Sequence, residues 1–159
     1  MFEFVVIDTP PSFSPEVIAA IDSSTDALMV VMRDTLSLKN TKLGLETLER
    51  MEYDRRRMKL LLNRANTNVG IERDDVLAIL GRDVDVQVPS HRDIARSINQ
   101  GVPIVLQGSS EAASAFEGLA RYYIDGSAGA VEAPAQVRRQ APATRAARRP
   151  LFRRSHGVA

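Results

Sequence analysis

Short apolar runs of strand length alternate along this chain with segments of helical periodicity, and this alternation constrains the fold more than any other feature. Turn-forming or polar residues close each run, which is typical of strands in a sheet. The segments between the runs are long enough for right-handed crossovers. The pattern predicts an α/β fold with a doubly wound, mostly parallel sheet. The predicted strands are residues 4–7, 27–32, 58–62 and 84–88, and the last of them is predicted to lie nearer an edge.

Five helices are predicted from apolar residues that recur at helical spacing. Ser14, Ser37 and Ser90 are candidate N-caps, because a hydroxyl can accept a hydrogen bond from the first turn of a helix. Gly81 and Gly101 are predicted to end two of the helices. The predicted helices cover residues 15–21, 38–51, 72–80, 93–99 and 110–123.

The composition excludes several classes of protein. With 159 residues and 44% hydrophobic content, the chain is long enough for one domain with a buried core. It has no cysteine, which excludes disulfides and cysteine-ligated metals, and its two histidines argue against a histidine-ligated zinc site. The sequence contains no apolar run of membrane-spanning length and no secretory signal, so we predict a cytoplasmic protein.

Charge divides the chain into two parts. Residues 126–159 carry seven arginines and one glutamate, a net charge of +6, whereas residues 1–125 carry a net charge of −5. The basic part is rich in alanine, glycine and proline without hydrophobic periodicity, which predicts a disordered tail. Residues 1–125 are predicted to form the domain, and their acidic balance makes nucleic acid an unexpected partner for it.

Polar residues directly follow each predicted strand, and the carboxyl ends of parallel strands meet at one edge of a sheet. We therefore expect them to converge on a ligand site at this carboxyl edge. Asp8 is well placed there for a metal or a phosphate, and Asn63 offers both a donor and an acceptor to the edge of a purine. Alternatively, Asn63 closes the following turn. The residues concerned are Asp8, Arg33, Asp34, Asn63, Arg64, Pro89, Ser90, His91 and Arg92, of which His91 is predicted to start a helix rather than to act in catalysis.

Residues 5–11 carry a resemblance to a known family. They read Val5-Val6-Ile7-Asp8-Thr9-Pro10-Pro11 and resemble the Walker B and switch II segment of the MinD/ParA-type P-loop ATPases, which have a SIMIBI-like P-loop NTPase fold. The resemblance implies that Asp8 helps to hold Mg²⁺ through its water shell. It further implies that Thr9, Pro10 and Pro11 form the switch that senses the γ-phosphate of ATP.

Two later segments extend the resemblance. Residues 61–66 resemble the adenine-reading segment of these ATPases, and residues 88–90 resemble the loop on the other side of the base. The resemblance implies an adenine pocket made of Asn63, Arg64, Val88, Pro89 and Ser90.

A wider pattern is similar to the CpaE/TadZ branch of the superfamily, whose members act in Flp (tight adherence) pilus assembly. This branch implies ATP and Mg²⁺ as cofactors, an ATP-dependent homodimer, and pilus secretion machinery proteins as partners. Alternatives are a septum-placement or chromosome-partition ATPase, and a localisation module without enzymatic activity. The matching segments are residues 36–40, 62–64, 69–71, 88–93 and 97–104.

The phosphate loop of the family, G-x-x-x-x-G-K-S/T, does not occur in residues 1–159. Its backbone N–H groups and lysine would surround the phosphates. We therefore expect this chain to correspond to the C-terminal portion of such an ATPase, with the N-terminal part of the fold missing. Although the parent family hydrolyses ATP, this chain alone is predicted to bind ATP weakly and not to hydrolyse it.

The end of the tail, residues 148–154, places Leu151 and Phe152 between two arginine pairs. It resembles a minimal form of the amphipathic membrane-targeting helix of MinD proteins. This implies peripheral binding to the anionic inner face of the cell membrane. Non-specific contact with DNA and a merely solvated tail are the alternatives.

Overall fold

The computed structural model describes residues 2–108 and 110–124, so the predicted tail lies outside the described residues. Three strands form one sheet: β1 (Ala27–Met32), β2 (Met58–Asn63) and β3 (Val86–Val88). Both strand pairs are parallel, and the order across the sheet is β1-β2-β3. The predicted α/β class and parallel sheet are confirmed, and β3 lies at an edge as expected.

Five α-helices occur in the described part of the chain, and each overlaps a predicted helix. The helix after β1 and the helix after β2 lie on the crossovers that lead to the next parallel strand, as the doubly wound arrangement requires. None of these helices is long and apolar enough to cross a membrane. The helices are α1 (Pro15–Ser23), α2 (Thr35–Arg50), α3 (Arg73–Leu80), α4 (Arg92–Gln100) and α5 (Glu111–Ile124).

Of the three predicted serine N-caps, only Ser14 holds an N-cap position, and none of the three hydroxyls caps its helix. Ser14 holds the N-cap position of α1, but its hydroxyl donates to the carboxylate of Glu16 instead of capping the helix. In α2 the cap is Asp34, whose side chain accepts from the Ser37 N–H at 2.8 Å, because the helix begins at Thr35 and Ser37 lies in its first turn. In α4 the cap is His91 rather than Ser90.

The C-terminal ends of α3 and α4 agree with the prediction. Gly81 and Gly101 adopt left-handed backbone conformations, with φ of 71° and 64°. Glycine takes up this conformation without the steric cost that a Cβ would bring.

Alternate residues of β2 face two different layers of helix. Leu60 and Leu62 are buried against α2 and α3, whereas Leu61 faces α5 together with Val86 and Val88 of β3. A strand that is covered on both faces reads as a continuous apolar run, which is how β2 appears in the sequence. The sheet therefore lies between helical layers, and its carboxyl edge remains at one end of this sandwich.

Residues 4–7 do not form the strand that the sequence predicts. They lie outside any regular element and are exposed, from 52% at Phe4 to 93% at Val6. A strand needs a neighbour for its backbone hydrogen bonds, and within the described residues β1 pairs only with β2. The apolar, β-branched composition of this run is that of a strand, but the described residues supply no strand for it to pair with.

Candidate functional site

The last residues of the three strands lie in one row. Met32 is the partner of Asn63 in the pairing of β1 with β2, and Asn63 is the partner of Val88 in the pairing of β2 with β3. The residues that follow each strand therefore leave the sheet side by side. The structure thus brings together three of the four polar segments that were predicted to converge on the carboxyl edge.

The Asn63 side chain uses its oxygen to accept a hydrogen bond at the start of a turn, and its Nδ2 has no partner among the described residues. Its Oδ1 accepts a hydrogen bond from the Arg64 N–H at 2.9 Å, and its Nδ2 donates to none of the described residues. Arg64 is in the left-handed region with φ of 53°, and its carbonyl accepts from Thr67 N and Oγ1 at 3.0 and 2.8 Å. The turn itself is closed by the bonds between Arg64 and Thr67, and Asn63 contributes only the acceptor for the first N–H of the turn.

The segment after β3 has a buried beginning and an exposed end. Val88 and Pro89 are buried, whereas Ser90 is exposed. His91 then caps α4 by accepting from the Asp93 N–H through Nδ1 at 3.2 Å, so its predicted role at a helix start is confirmed. Val88 packs in the core with Leu61 and Val86, so the exposed surface of this segment begins at Ser90.

Arg33 is a residue of this edge to which the sequence assigned no role. Its Nη1 donates to the Ala65 carbonyl at 2.8 Å, and its Nη2 lies 3.6 Å from the Glu72 carboxylate. The side chain is only 12% exposed, and the buried Nε has no hydrogen-bond partner among the described residues. The contact could not be found from sequence spacing, because Arg33 and Ala65 are 32 positions apart.

The structure does not bring the four N-terminal site residues onto the sheet. Asp8, Thr9, Pro10 and Pro11 are exposed and belong to no regular element, since the strand predicted to carry them is not formed. Asp8 makes no ion pair or hydrogen bond with the described residues of the carboxyl edge. Their roles at Mg²⁺ and the γ-phosphate remain predictions.

The residues present fit one part of a nucleotide better than the other. At the carboxyl edge the Nδ2 of Asn63 has no partner among the described residues and could donate to the edge of a base. By contrast, residues 2–108 and 110–124 contain no group of three or more histidine, aspartate or glutamate side chains that could hold a metal ion. The predicted Mg²⁺ contact was through water, and the sequence holds no phosphate loop.

At the opposite end of the sheet, charged side chains form hydrogen bonds and ion pairs with one another and with the backbone. Asp85 accepts from the Leu60 N–H at 2.8 Å and also lies 3.3 Å from Arg82 and 4.0 Å from Lys59. Burial raises the pKa of the nearby Tyr123 phenol to about 12, with smaller contributions from Asp26, Tyr122 and Asp85. These groups satisfy one another, so the carboxyl edge is the better candidate for a ligand site.

Comparison with known proteins gives no matching family model. The chain is 22% identical over 125 residues to the septum site-determining protein MinD of Thermotoga maritima, a match that covers 76% of this chain and 46% of that protein. It is 29% identical over 114 residues to a chloroplastic MinD homolog of Arabidopsis thaliana, covering 65% of this chain and 33% of that protein. The chain thus spans less than half the length of these curated relatives.

Solved structures show the same partial likeness. The MinC:MinD cell division protein complex of Aquifex aeolicus matches with a TM-score of 0.62 and 23% identity, over 73% of this chain and 49% of that one. The ParA family ATPase of Chlorobium tepidum matches with a TM-score of 0.63 and 21% identity, over 69% and 46%. The chain is therefore similar in sequence to MinD proteins and has the MinD/ParA P-loop NTPase-like fold over about half the length of those proteins.

Proposed function

We propose that the carboxyl edge of this sheet is the base-binding half of an ATP site in a MinD/ParA-type ATPase. The observation that supports the proposal is the row formed by Met32, Asn63 and Val88, in which the Nδ2 of Asn63 has no hydrogen-bond partner among the described residues. In this site Asn63 reads the edge of adenine, Val88 and Pro89 support its face, and Arg64 and Ser90 border it.

The other predicted contacts belong to the phosphate side of the same nucleotide. Asp8 is proposed to hold the water shell of Mg²⁺, and Thr9, Pro10 and Pro11 to form the switch beside the γ-phosphate. ATP and Mg²⁺ are the cofactors of the whole protein. Because residues 1–159 contain no Gly-rich loop with its lysine, the phosphates are left in water. We expect this chain alone to bind ATP weakly and to show no hydrolysis.

The proposed base site is tested by recording backbone amide NMR spectra of residues 1–159 during titration with adenosine and, separately, guanosine. Nucleosides avoid the missing phosphate contacts and probe the base site directly. We expect shifts at Asn63, Arg64, Val88 and Ser90 with adenosine and weaker shifts with guanosine. Asn63→Ala should weaken adenosine binding about fivefold, since a hydrogen bond in a site is worth about 1 kcal/mol.

The matched control is Asn99→Ala, which removes an exposed amide near the end of α4. It should leave the adenosine response unchanged. Equal responses to the two nucleosides, or adenosine shifts confined to another surface, would show that the carboxyl edge does not read adenine.

We further propose that the protein acts in Flp pilus assembly or polar localisation, as a member of the CpaE/TadZ branch. Its partners are then pilus secretion machinery proteins and a second copy of itself in the ATP-bound state. The support is the sequence pattern that includes residues 36–40 and 97–104. Deletion of the gene in the source organism should abolish Flp pili and leave septum position normal.

A septum-placement role is the second candidate, because the curated relatives found are named as septum site-determining MinD proteins. Misplaced septa with normal pili after the deletion would favour it. Unequal inheritance of chromosomes would instead favour a partition ATPase. If cells that carry the Asn63→Ala and Asp8→Ala replacements behave like the wild type, a localisation module that does not use nucleotide would be favoured.

The arginine-rich tail is proposed to bind the inner face of the cell membrane reversibly. Residues 148–154 combine four arginines with Leu151 and Phe152, and each basic residue near an anionic surface contributes about 1 kcal/mol. The chain should sediment with phosphatidylglycerol vesicles at low salt and not with phosphatidylcholine vesicles. Equal sedimentation after Leu151→Ser and Phe152→Ser would exclude insertion of the apolar pair, and retention on DNA alone would favour the nucleic-acid alternative.

A further inference from the structure

One short turn connects all three strand ends at the carboxyl edge. We call residues 64–66, which are Arg64, Ala65 and Asn66, the 64–66 turn. It follows β2 directly and begins with the left-handed residue Arg64. Hydrogen bonds run from this turn to the segment after β1 on one side and to the segment after β3 on the other. The turn therefore links the two parts of the proposed base site.

The link to β3 uses both the backbone and a side chain. Ala65 N–H donates to the Val88 carbonyl at 3.0 Å. The Oδ1 of Asn66 accepts from the Ser90 N–H at 2.7 Å, and its Nδ2 donates towards the Ser90 carbonyl at 3.3 Å. A side-chain amide has both an acceptor oxygen and a donor NH₂, so it can bind a backbone N–H and a backbone carbonyl at once. Asn66 thereby fixes where Ser90 lies relative to Asn63.

The link to β1 is made by Arg33. Its Nη1 donates to the carbonyl of Ala65, the residue whose N–H donates to the Val88 carbonyl. Arg33 makes this contact at the cost of a buried Nε without a partner among the described residues, and an unpaired buried donor is destabilising. An apolar residue would leave no unpaired donor, but it could make neither the hydrogen bond to Ala65 nor the 3.6 Å contact with the Glu72 carboxylate.

We infer that Asn66 and Arg33 are positioning residues of the base site: through the 64–66 turn they hold the Asn63 amide at a set distance from the Val88–Ser90 segment. This inference rests on the proposed function, and it adds two residues that touch neither the base nor the phosphates. Asn66 acts on the Ser90 side of the site. Arg33 transmits the position of the β1 end to the same turn.

The test combines hydrogen exchange with nucleoside titration on residues 1–159. In Asn66→Ala the Ser90 amide should exchange at least about tenfold faster, since its hydrogen-bond acceptor is removed. Adenosine should bind about tenfold more weakly, and the preference for adenosine over guanosine should shrink. Arg33→Met, which keeps most of the side-chain volume, should change adenosine binding in the same direction.

Two further variants separate positioning from general loosening. Asn68→Ala removes an exposed amide from the same loop and should change neither Ser90 exchange nor adenosine binding. Asn66→Asp keeps the acceptor for the Ser90 N–H and loses the donor, so it should restore the slow Ser90 exchange and part of the adenosine affinity. Spectra of every variant should keep the dispersion of the folded chain.

The inference and the proposed function fail in different ways. A wild-type chain that does not respond to adenosine overturns the proposed function, and the positioning role with it. A wild-type chain that binds adenosine, together with an Asn66→Ala variant that binds it equally well, overturns the positioning role alone. Unchanged Ser90 exchange in Asn66→Ala overturns the link between the turn and the β3 end, whatever the nucleoside result.

Discussion

The phenol of Tyr123 makes the stability of the fold depend on pH in the alkaline range. This phenol packs at the end of the sheet opposite the candidate site, where burial raises its pKa to about 12, and the carboxylates of Asp26 and Asp85 add to the shift. An unfolded tyrosine titrates at about pH 10. The folded state thus favours the neutral phenol, and the stabilisation is fully present below about pH 10 and is lost as the pH rises towards 12.

We expect Tyr123→Phe to remove this alkaline loss of stability. Between about pH 9 and about pH 11.5 the wild-type chain should lose about 1 kcal/mol more unfolding free energy than the variant, after allowance for solvent screening at a partly exposed group. Urea denaturation of both proteins at the two pH values measures the difference. An equal loss in both proteins would mean that another group is responsible.

At the scale of an element, α2 is the helix that ties the sheet to its surroundings. Leu38, Leu45 and Leu48 are buried against the strands, whereas Leu43 on the same helix is 58% exposed. Gly44 marks the closest approach: a Cβ there would lie 2.9 Å from the end of Met29 on β1 and 3.3 Å from the Phe13 ring. The face of α2 that contains Leu38, Leu45 and Leu48 therefore packs on the sheet, and the opposite face is exposed.

Leu45→Ala and Leu43→Ala form a matched pair, because both remove the same atoms from the middle of α2 with the same small change in helix propensity. Leu45→Ala should cost about 2–5 kcal/mol of unfolding free energy by leaving a cavity, whereas Leu43→Ala should cost less than about 1 kcal/mol. Thermal or urea denaturation compares them. Similar losses for the two variants would contradict the assignment of the buried face.

At the scale of the whole molecule, apolar side chains remain uncovered on the described surface. The three most exposed of them lie in the N-terminal segment: Phe2, Val5 and Val6 are 89%, 75% and 93% exposed. Val30 of β1 is also 59% exposed. Contiguous exposed apolar surface promotes association between molecules.

Purified residues 1–159 should therefore self-associate as the concentration rises. Replacing Val5 and Val6 by serine should lower the average mass measured by light scattering and should leave thermal stability nearly unchanged. Val69→Ser, at a half-exposed position in the loop before α3, is the control and should have no such effect. A chain that stays monomeric at every concentration would show that this surface does not drive association.

Much of the candidate site followed from the sequence by a single rule. The ends of parallel strands share an edge, so Arg33, Asn63 and Pro89 could be placed together once three strands were recognised. The rule failed for Asp8, because residues 4–7 form no strand in the described chain. Ligand roles could not be derived in the same way, since they depend on side-chain directions that strand order leaves open.

Periodicity and local backbone preference act between near neighbours, so the sequence was enough to predict the fold class, the helices, the three paired strands and the glycine-capped ends of α3 and α4. It was not enough to predict which apolar run pairs, or which side chains hold the carboxyl edge. Arg33 meets Ala65 across 32 positions, and Asn66 meets Ser90 across 24. Such contacts depend on how β1, β2 and β3 are brought together, which no local pattern encodes.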